Sequence, residues 1–285
     1  MDFISPEADR FAILKEILQE AALEYKVTEI AESRHIIVTP LLSEQGKSIG
    51  RRPPVILVAH YDRAEGSPGA NDNSAGVFLL IETAMKLIKK NKNSWLVIFT
   101  DREELKSGEK LQSQGAYGLA EYLKNQKMEK SKIFSFDACG TGDTMIISTT
   151  LELFSKKNEG AWEKLRDSLL ELRKYALDTA RNLNMAKVLL APTPFSDDVG
   201  FIRAGLIAQT VTMLPSGECI RLVAKLRKNP ELAEALINAK MRLAGHLQSI
   251  PETWRGLNTP ADSHLRLTPE HFHTVSKFAE ELCSE

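Results

Sequence analysis

Short apolar runs rich in valine and isoleucine recur along the chain, and each is followed by a polar loop and a helical pattern. Strands covered on both faces read as continuous apolar runs, and the helices that cover them show apolar residues at a spacing of three and four. The pattern therefore predicts an α/β fold with crossover helices packed on a sheet. The predicted strands are residues 35–39, 55–60, 95–100, 133–137, 145–148, 187–191 and 206–212. The predicted helices are residues 7–24, 74–90, 116–124 and 160–183.

Residues 216–250 depart from this alternation, because two charged amphipathic helical stretches follow each other there. Asn229 and Pro230 introduce the second stretch as the cap and the first-turn residue of a helix. We interpret the segment as a helical insertion in a single domain that covers residues 1–285, since no repeat or low-complexity tract divides the chain. The insertion is a candidate dimer contact or lid, so the sequence leaves a homo-oligomer open.

Composition and charge argue against several kinds of partner. The 37 lysines and arginines balance 38 acids to a formal net charge of -1, so no global positive field is available for nucleic acid or an anionic membrane. No stretch approaches the roughly 18 apolar residues of a membrane span. The N-terminus lacks the basic flank and apolar run of a secretory signal. The three cysteines lie far apart without a CxxC pattern, which argues against a disulfide framework or a structural zinc site. We therefore expect a cytoplasmic protein.

The segment VILVAHYDRAEGSPGANDNSAG, residues 55–76, places polar groups at a strand end and at a helix start. His60 ends the strand and Asp72 precedes the helix, so both side chains should face the crevice where open α/β sheets bind ligands. Imidazole and carboxylate suit a zinc-like ion, and Asp62 is placed to accept the other ring N–H of His60 and fix its tautomer. For this motif alone, simple strand and helix capping remains an equal alternative.

Two more strands run into acids. The segment WLVIFTDREELKSG, residues 95–108, leads into Glu103 and Glu104. Adjacent acids are usually solvated charge, but at a strand end their side chains diverge, so one can bind a metal while the other serves as a base. The segment KIFSFDACGTGD, residues 132–143, places Asp137 at the end of a strand, and no glycine-lysine-serine follows to make a phosphate loop.

One histidine and three carboxylates form a ligand set for two divalent cations with one bridging carboxylate. Its members are His60, Asp72, Glu104 and Asp137. Other chemistries are poorly represented, because the chain has no GxSxG, HExxH, Walker or GxGxxG motif. Cys139 follows Asp137 without an evident base, so we interpret it as a small buried thiol.

The chain contains five features in a fixed order: the phrases AHYD and GANDNSAG, the Glu-Glu pair, and the phrases FSFDACGTGD and TPFSDDVGFIRAG. From about residue 8 onward the chain resembles the zinc aminopeptidases of peptidase family M28, whose fold is also used by glutaminyl cyclases. The resemblance implies a three-layer αβα sandwich with a mixed, mainly parallel eight-stranded sheet. It implies one ion on His60 and Asp137, and a second on Glu104, with Asp72 as the bridge. The implied catalytic residues are Glu103, as general base, and Asp62, as the partner of His60.

The chain also departs from the family pattern. The last metal ligand of the family is the histidine of a His-Thr-x-x-Asp phrase, and the matching phrase here begins with Asn258. An amide oxygen is a poor zinc ligand compared with imidazole, so we expect one or two divalent ions, with a weakened or altered second site. His264 is the alternative ligand if the loop is rearranged. Asp197 and Asp198 follow Ser196 where many relatives read Ser-Asp-His, and these acids either line the crevice or cap a helix.

We predict a zinc-dependent hydrolase, most simply an aminopeptidase that cleaves N-terminal residues from small peptides with metal-activated water. One alternative, suggested by Asn258, is a catalytically impaired relative that acts as a binding or scaffold protein. The other is a glutaminyl cyclase-like acyltransferase, suggested by the phrase Pro-Glu-Thr-Trp at residues 251–254. The single zinc of the cyclases would use the positions of Asp72, Glu104 and Asn258, which include the lost histidine.

Overall fold

The computed structural model describes residues 3–40, 53–106, 108–155, 159–237 and 247–284. Within these ranges one sheet contains β1 (Tyr25–Ile30), β2 (Ser33–Val38), β3 (Val55–His60), β4 (Trp95–Thr100), β5 (Lys132–Phe136), β6 (Thr144–Ser148), β7 (Val188–Ala191) and β8 (Ala208–Leu214). The α-helices are α1 (Arg10–Glu20), α2 (Ala75–Lys89), α3 (Gly115–Asn125), α4 (Leu151–Ser155), α5 (Glu159–Asn182), α6 (Asp197–Arg203), α7 (Ser216–Lys228), α8 (Leu232–Ile237), α9 (Glu252–Gly256) and α10 (Phe272–Leu282).

The strands form an 8-stranded mixed sheet in the order β1-β2-β4-β3-β5-β8-β6-β7. The pairs β3–β4, β3–β5, β5–β8 and β6–β7 are parallel. The pairs β1–β2, β2–β4 and β6–β8 are antiparallel. The sequence-based prediction of a mixed, mainly parallel eight-stranded sheet is confirmed.

Helices cover both faces of the sheet. On β3, Leu57 belongs to the apolar cluster that includes α1, α2, α5 and α10, whereas Val58 belongs to the cluster with α3 and α6. This alternation follows from the two-residue period of a strand, which turns successive side chains to opposite faces. A third cluster joins α7, α8 and Trp254 of α9 to β6, β7 and β8. The molecule is therefore the three-layer αβα sandwich that the resemblance implied.

The strand that the sequence did not predict is β1, at one edge of the sheet. Its residues are mostly exposed or half-buried, and only Thr28 is buried. An edge strand of this kind lacks the continuous apolar run by which the other strands were recognised. The predicted strands β3 and β4 match to the residue, while β8 begins two residues later than residues 206–212 and extends to Leu214.

The predicted helical segment at residues 216–250 contains α7 and α8, and residues 238–246 lie outside the described part of the chain. Asn229 ends α7, and its side chain accepts a hydrogen bond from the Glu231 backbone N–H at 3.1 Å. In the portions that the structure describes, no helix combines the length and the apolar character needed to cross a membrane. The interpretation of this segment as an insertion in a single domain stays a prediction.

His35 of β2 is fully buried and contributes to the fold. Its Nδ1 accepts a hydrogen bond from the Asp101 backbone N–H at 3.4 Å. Burial lowers the pKa of His35 to about 4, although the Asp62 carboxylate acts in the opposite direction. The ring is therefore neutral in the folded protein at pH values where it would be protonated in the unfolded chain.

We expect wild-type protein to lose stability relative to His35→Asn as pH falls from about 6.5 to about 4. In this window the unfolded chain takes up a proton at His35 and the folded protein does not, which favours unfolding by up to about 3 kcal/mol. Asparagine retains an acceptor for the Asp101 N–H but does not titrate. Urea unfolding of both proteins at several pH values measures this difference, and a difference that does not vary with pH would contradict the prediction.

Candidate metal site

Three of the predicted ligands meet where β3 and β5 end. His60 is the last residue of β3, Asp137 follows β5, and Asp72 lies in the turn before α2. The His60 Nε2 atom lies 3.1 Å from Asp72 Oδ1 and 3.7 Å from Asp137 Oδ1. One ligand atom from each residue lies within 4.8 Å of the other two, and all three residues are buried. The structure therefore brings these residues together as one compact group.

The donor atoms of this group fit a divalent ion such as zinc. In the described part of the chain, His60 Nε2 and Asp137 Oδ1 are buried and have no hydrogen-bond partner, which is costly unless another group binds them. Zinc ligands lie about 2.0–2.2 Å from the ion, so two tetrahedral ligands are separated by about 3.4 Å. The 3.1 Å and 3.7 Å separations at His60 lie on either side of this value.

Asp62 connects the histidine to the acidic pair. Its Oδ1 lies 3.4 Å from His60 Nδ1, so Asp62 contacts the ring on the side away from the candidate metal position. The same carboxylate accepts hydrogen bonds from the backbone N–H groups of Glu103 at 3.1 Å and Glu104 at 3.0 Å. The sequence suggested the contact with His60, but it gave no sign of the two backbone contacts.

The protonation of His60 reflects this surrounding charge. Burial would lower its pKa, but the carboxylates of Asp137, Asp62 and Asp72 outweigh burial and raise the pKa well above its usual value. The imidazole thus lies in a strongly negative field. A bound cation would compete with the proton for Nε2, because a metal ligand must be the neutral ring.

Glu103 and Glu104 line the crevice beside this group, together with Asn258. Gln114 Nε2 donates a hydrogen bond to Glu103 Oε1 at 3.1 Å, which orients the carboxylate of the candidate base. Among the described residues, Glu104 does not join the compact group of ligand atoms. His264 is exposed and does not line the crevice, so of the two candidate ligands in this loop Asn258 is the one at the crevice.

The carboxylates that line the crevice repel one another electrostatically. Burial, and next the nearby Asp137 carboxylate, raises the pKa of Asp72 to about 6. Burial and the charge of Asp72 raise the pKa of Glu104 to about 9. Burial also raises the pKa of Glu103 well above its usual value. A divalent cation would relieve this repulsion, because it favours the ionised form of each carboxylate.

Asp72 is held by contacts from two distant parts of the chain. The Asp262 carboxylate accepts hydrogen bonds from the backbone N–H groups of Asn71 at 2.8 Å and Asp72 at 3.0 Å. Asn73 Nδ2 donates to the Phe136 carbonyl at 2.8 Å. The turn is thereby fixed to the loop that carries Asn258 and to the end of β5.

Gly76 permits this packing at the start of α2. A Cβ atom there would lie 2.3 Å from Asn73 Oδ1 and 2.7 Å from the Phe136 carbonyl oxygen. A larger residue would push the turn away from β5, so the glycine of the GANDNSAG phrase has a steric role.

Asp197 and Asp198 lie behind the crevice and do not line it. Both are in the first turn of α6, after the N-cap residue Ser196, and both are buried. Asp197 Oδ2 accepts a hydrogen bond from Thr100 Oγ1 at 2.8 Å, and burial raises the pKa of each acid to about 7. Neither role considered from the sequence is observed, because the two acids do not line the crevice and the N-cap of α6 is Ser196.

The crevice has a volume of about 340 Å³, and one part of its lining is apolar. Its apolar wall consists of Leu105, Leu111, Pro194, Phe195, Trp254 and Leu257.

Cys139 does not line the crevice. Its thiol is buried and donates to the Val211 carbonyl at 3.3 Å, and burial raises the pKa of the thiol well above the usual value. The interpretation of Cys139 as a buried thiol is confirmed.

A mainly parallel sheet with imidazole and carboxylates at the carboxyl ends of its strands is the arrangement of a metal-binding α/β protein. The sequence model described as Peptidase family M28 matches residues 42–263. The chain belongs to peptidase family M28, as the resemblance indicated.

Individual relatives support this assignment. Aminopeptidase YwaD of Bacillus subtilis (strain 168) is 25% identical over 191 residues, which are 66% of this chain and 37% of the relative. The chain thus spans about 37% of the length of this relative.

Solved structures share the fold at low identity. A zinc aminopeptidase from Bacillus subtilis aligns with a TM-score of 0.53 and 19% identity, over 87% of this chain and 48% of that one. The Legionella pneumophila LapA aminopeptidase aligns with a TM-score of 0.61 and 16% identity, over 98% of this chain and 66% of that one. A Porphyromonas gingivalis glutaminyl cyclase aligns with a TM-score of 0.59 and 18% identity, over 96% of this chain and 87% of that one.

We expect Asp262→Asn to weaken zinc binding about 10-fold to 100-fold, the usual effect of losing a contact that orients a ligand. Asparagine offers one acceptor oxygen where two backbone N–H groups point, so the turn that carries Asp72 would shift. Competition with a chromophoric chelator measures the affinity. Asp143→Asn is a matched control, because Asp143 accepts a backbone N–H from Ser216 at 2.7 Å and does not line the crevice. Equal affinities in wild type and Asp262→Asn would contradict the prediction.

Proposed function

We propose that this chain is a zinc-dependent aminopeptidase that removes N-terminal residues from small peptides. The observation that carries the proposal is the buried group of His60, Asp72 and Asp137 beside Glu103 in one crevice. Membership of family M28 and the similarity to a Bacillus subtilis aminopeptidase support it.

The residues divide into a stronger and a weaker candidate metal position. We propose that His60, Asp72 and Asp137 hold one ion, and that Glu104 and Asn258 share a second with Asp72. When bound, a divalent cation supplies Lewis acidity, which polarises a carbonyl and lowers the pKa of water. Because Asn258 offers an amide oxygen where the family pattern has imidazole, the second position should bind zinc weakly.

Glu103 would carry the proton. Its carboxylate faces the crevice and is held by Gln114, while Asp62 fixes its backbone. It would accept a proton from the attacking water and donate it to the leaving amine. Burial raises the pKa of Glu103, which strengthens its carboxylate as a base.

The crevice suits a short, positively charged substrate end. Its volume of about 340 Å³ lies at the low end for small-molecule sites. The acids at one end favour an α-ammonium group, and the apolar wall favours an uncharged side chain. Both features agree with the N-terminus of a peptide.

Glutaminyl cyclase-like chemistry remains a second candidate, because Trp254 of the Pro-Glu-Thr-Trp phrase lines the crevice. A single zinc would then use Asp72, Glu104 and Asn258, which is the weaker of the two positions. A scaffold role without catalysis is the third outcome of the tests below. A cytoplasmic location and a single domain with an inserted segment stay predictions.

We expect Glu103→Gln to reduce turnover on the order of 100-fold or more, because glutamine cannot carry the proton. Zinc affinity should change little, since Glu103 is not in the ligand group. Hydrolysis of a panel of aminoacyl chromogenic substrates measures the change, and Glu121→Gln on the exposed side of α3 is the control.

Full activity in Glu103→Gln would overturn the proposed mechanism. Wild-type turnover that a chelator abolishes would exclude the scaffold role. Cyclisation of an N-terminal glutamine peptide, without hydrolysis of the panel, would favour the second candidate.

We also expect wild-type protein to retain one tightly bound zinc equivalent and Asn258→His to retain two, because histidine restores an imidazole at the weaker position. Asn258 has a φ of 61°, a conformation in which histidine, like asparagine, is relatively common. Metal analysis after dialysis measures the content, with Asn258→Ala as the control at one equivalent. Two tightly held equivalents in the wild type would contradict the prediction.

A further inference from the structure

The loop of residues 61–69 joins His60 to the turn that carries Asp72, and it contains no regular secondary structure. Its backbone groups therefore need partners from outside a helix or sheet ladder. Many of these partners come from one side chain, that of Arg10 at the start of α1. Arg10 is only 5% exposed.

The Arg10 guanidinium donates to both ends of this loop. Nη1 donates to the carbonyls of Tyr61 at 3.1 Å and Asp62 at 3.2 Å, directly after His60. Nη2 donates to the carbonyls of Pro68 at 2.6 Å and Gly69 at 3.0 Å, shortly before Asp72. A single planar group thus ties together the two chain segments that leave and approach the metal ligands.

Further contacts anchor the group itself. Nε donates to the Phe3 carbonyl at 3.2 Å, and Nη2 also reaches Ser74 Oγ at 3.0 Å, on the far side of Asp72. Gly69 has a φ of 58°, and a Cβ atom there would lie 2.8 Å from Arg10 Nη2. The glycine therefore leaves the space that the guanidinium fills.

The shape of the side chain matters as well as its charge. Arginine presents its N–H donors in a fixed planar fork, whereas lysine has one nitrogen at the end of a flexible stem. One ammonium group cannot reach the Tyr61 and Asp62 carbonyls and the Pro68 and Gly69 carbonyls together. The loop geometry consequently depends on the fork.

We propose that Arg10 is a positioning residue that pre-forms the metal site by fixing both ends of the 61–69 loop. This inference rests on the proposed function, since it concerns the affinity of the same group of ligands for a divalent ion. Without the fork, the loop would have to be ordered when the ion binds, and that ordering would reduce the affinity.

A buried arginine could instead serve only to attach α1 to the rest of the protein. Replacement would then lower stability without changing metal affinity. Arg173 of α5 supplies a matched control, because it is 6% exposed and donates to the Ser148 carbonyl at 3.2 Å and to Glu152. Arg173 neither contacts the 61–69 loop nor lines the crevice.

The test compares wild type, Arg10→Lys, Arg10→Met and Arg173→Lys, each measured well below its melting temperature. Hydrogen exchange of the metal-free proteins reports the order of residues 61–74. Chelator competition with zinc then gives the affinity, and the visible spectrum of the cobalt-substituted proteins reports the geometry of the ligands. Arg10→Lys is the main variant because it preserves the charge and is the more conservative change.

We expect Arg10→Lys to exchange faster across residues 61–74 and to bind zinc about 10-fold or more weakly, with an altered cobalt spectrum. Arg173→Lys should match wild type in all three measurements. Wild-type exchange or wild-type zinc affinity in Arg10→Lys would overturn the inference. If wild-type protein bound no divalent ion, the proposed function would fail, while the exchange comparison would still decide whether Arg10 fixes the loop.

Discussion

The parallel pairing of β3 with β4 on one side and with β5 on the other determines where the candidate site residues other than Asn258 lie. The register pairs His60 with Thr100 and Val58 with Ser135, so the three strands end at nearly the same level. Parallel strands have their carboxyl ends on the same side of a sheet, so the segments that follow them share one crevice. If β4 were antiparallel to β3, Glu103 and Glu104 would lie near the amino end of β3, away from His60.

The carboxylates around the candidate metal site fall into two groups that differ in their hydrogen bonds. Asp62 and Asp262 each accept two backbone N–H groups, so their oxygens are already engaged. Asp137 has a buried oxygen without a partner in the described part of the chain, and Asp72 and Glu104 have raised pKa values. The first group holds the backbone of Asp72 and Glu104 in the second. The site thus separates acids that position ligands from acids that are free to bind an ion.

Sequence alone could predict the second group but little of the first. His60, Asp72, Glu104 and Asp137 follow recognisable strand ends or precede a helix, and periodicity locates such points well. Asp262 and Arg10 act on backbone atoms 190 and 51 positions away in the chain. No local pattern reports which backbone groups lack a partner, because this depends on how loops meet in three dimensions. The edge strand β1 could not be predicted for a different reason, because it lacks a continuous apolar run.

The two candidate metal positions also differ in their donor atoms. His60 gives the first position one nitrogen beside two carboxylates, which is a set that zinc favours. The second would have only oxygen donors, from Asp72, Glu104 and Asn258, and such a set favours harder cations like magnesium or manganese. One amide in place of an imidazole would therefore separate the two positions in chemistry as well as in affinity. Since Asp72 would serve both, an ion at the first position would draw charge from this carboxylate and weaken the second further.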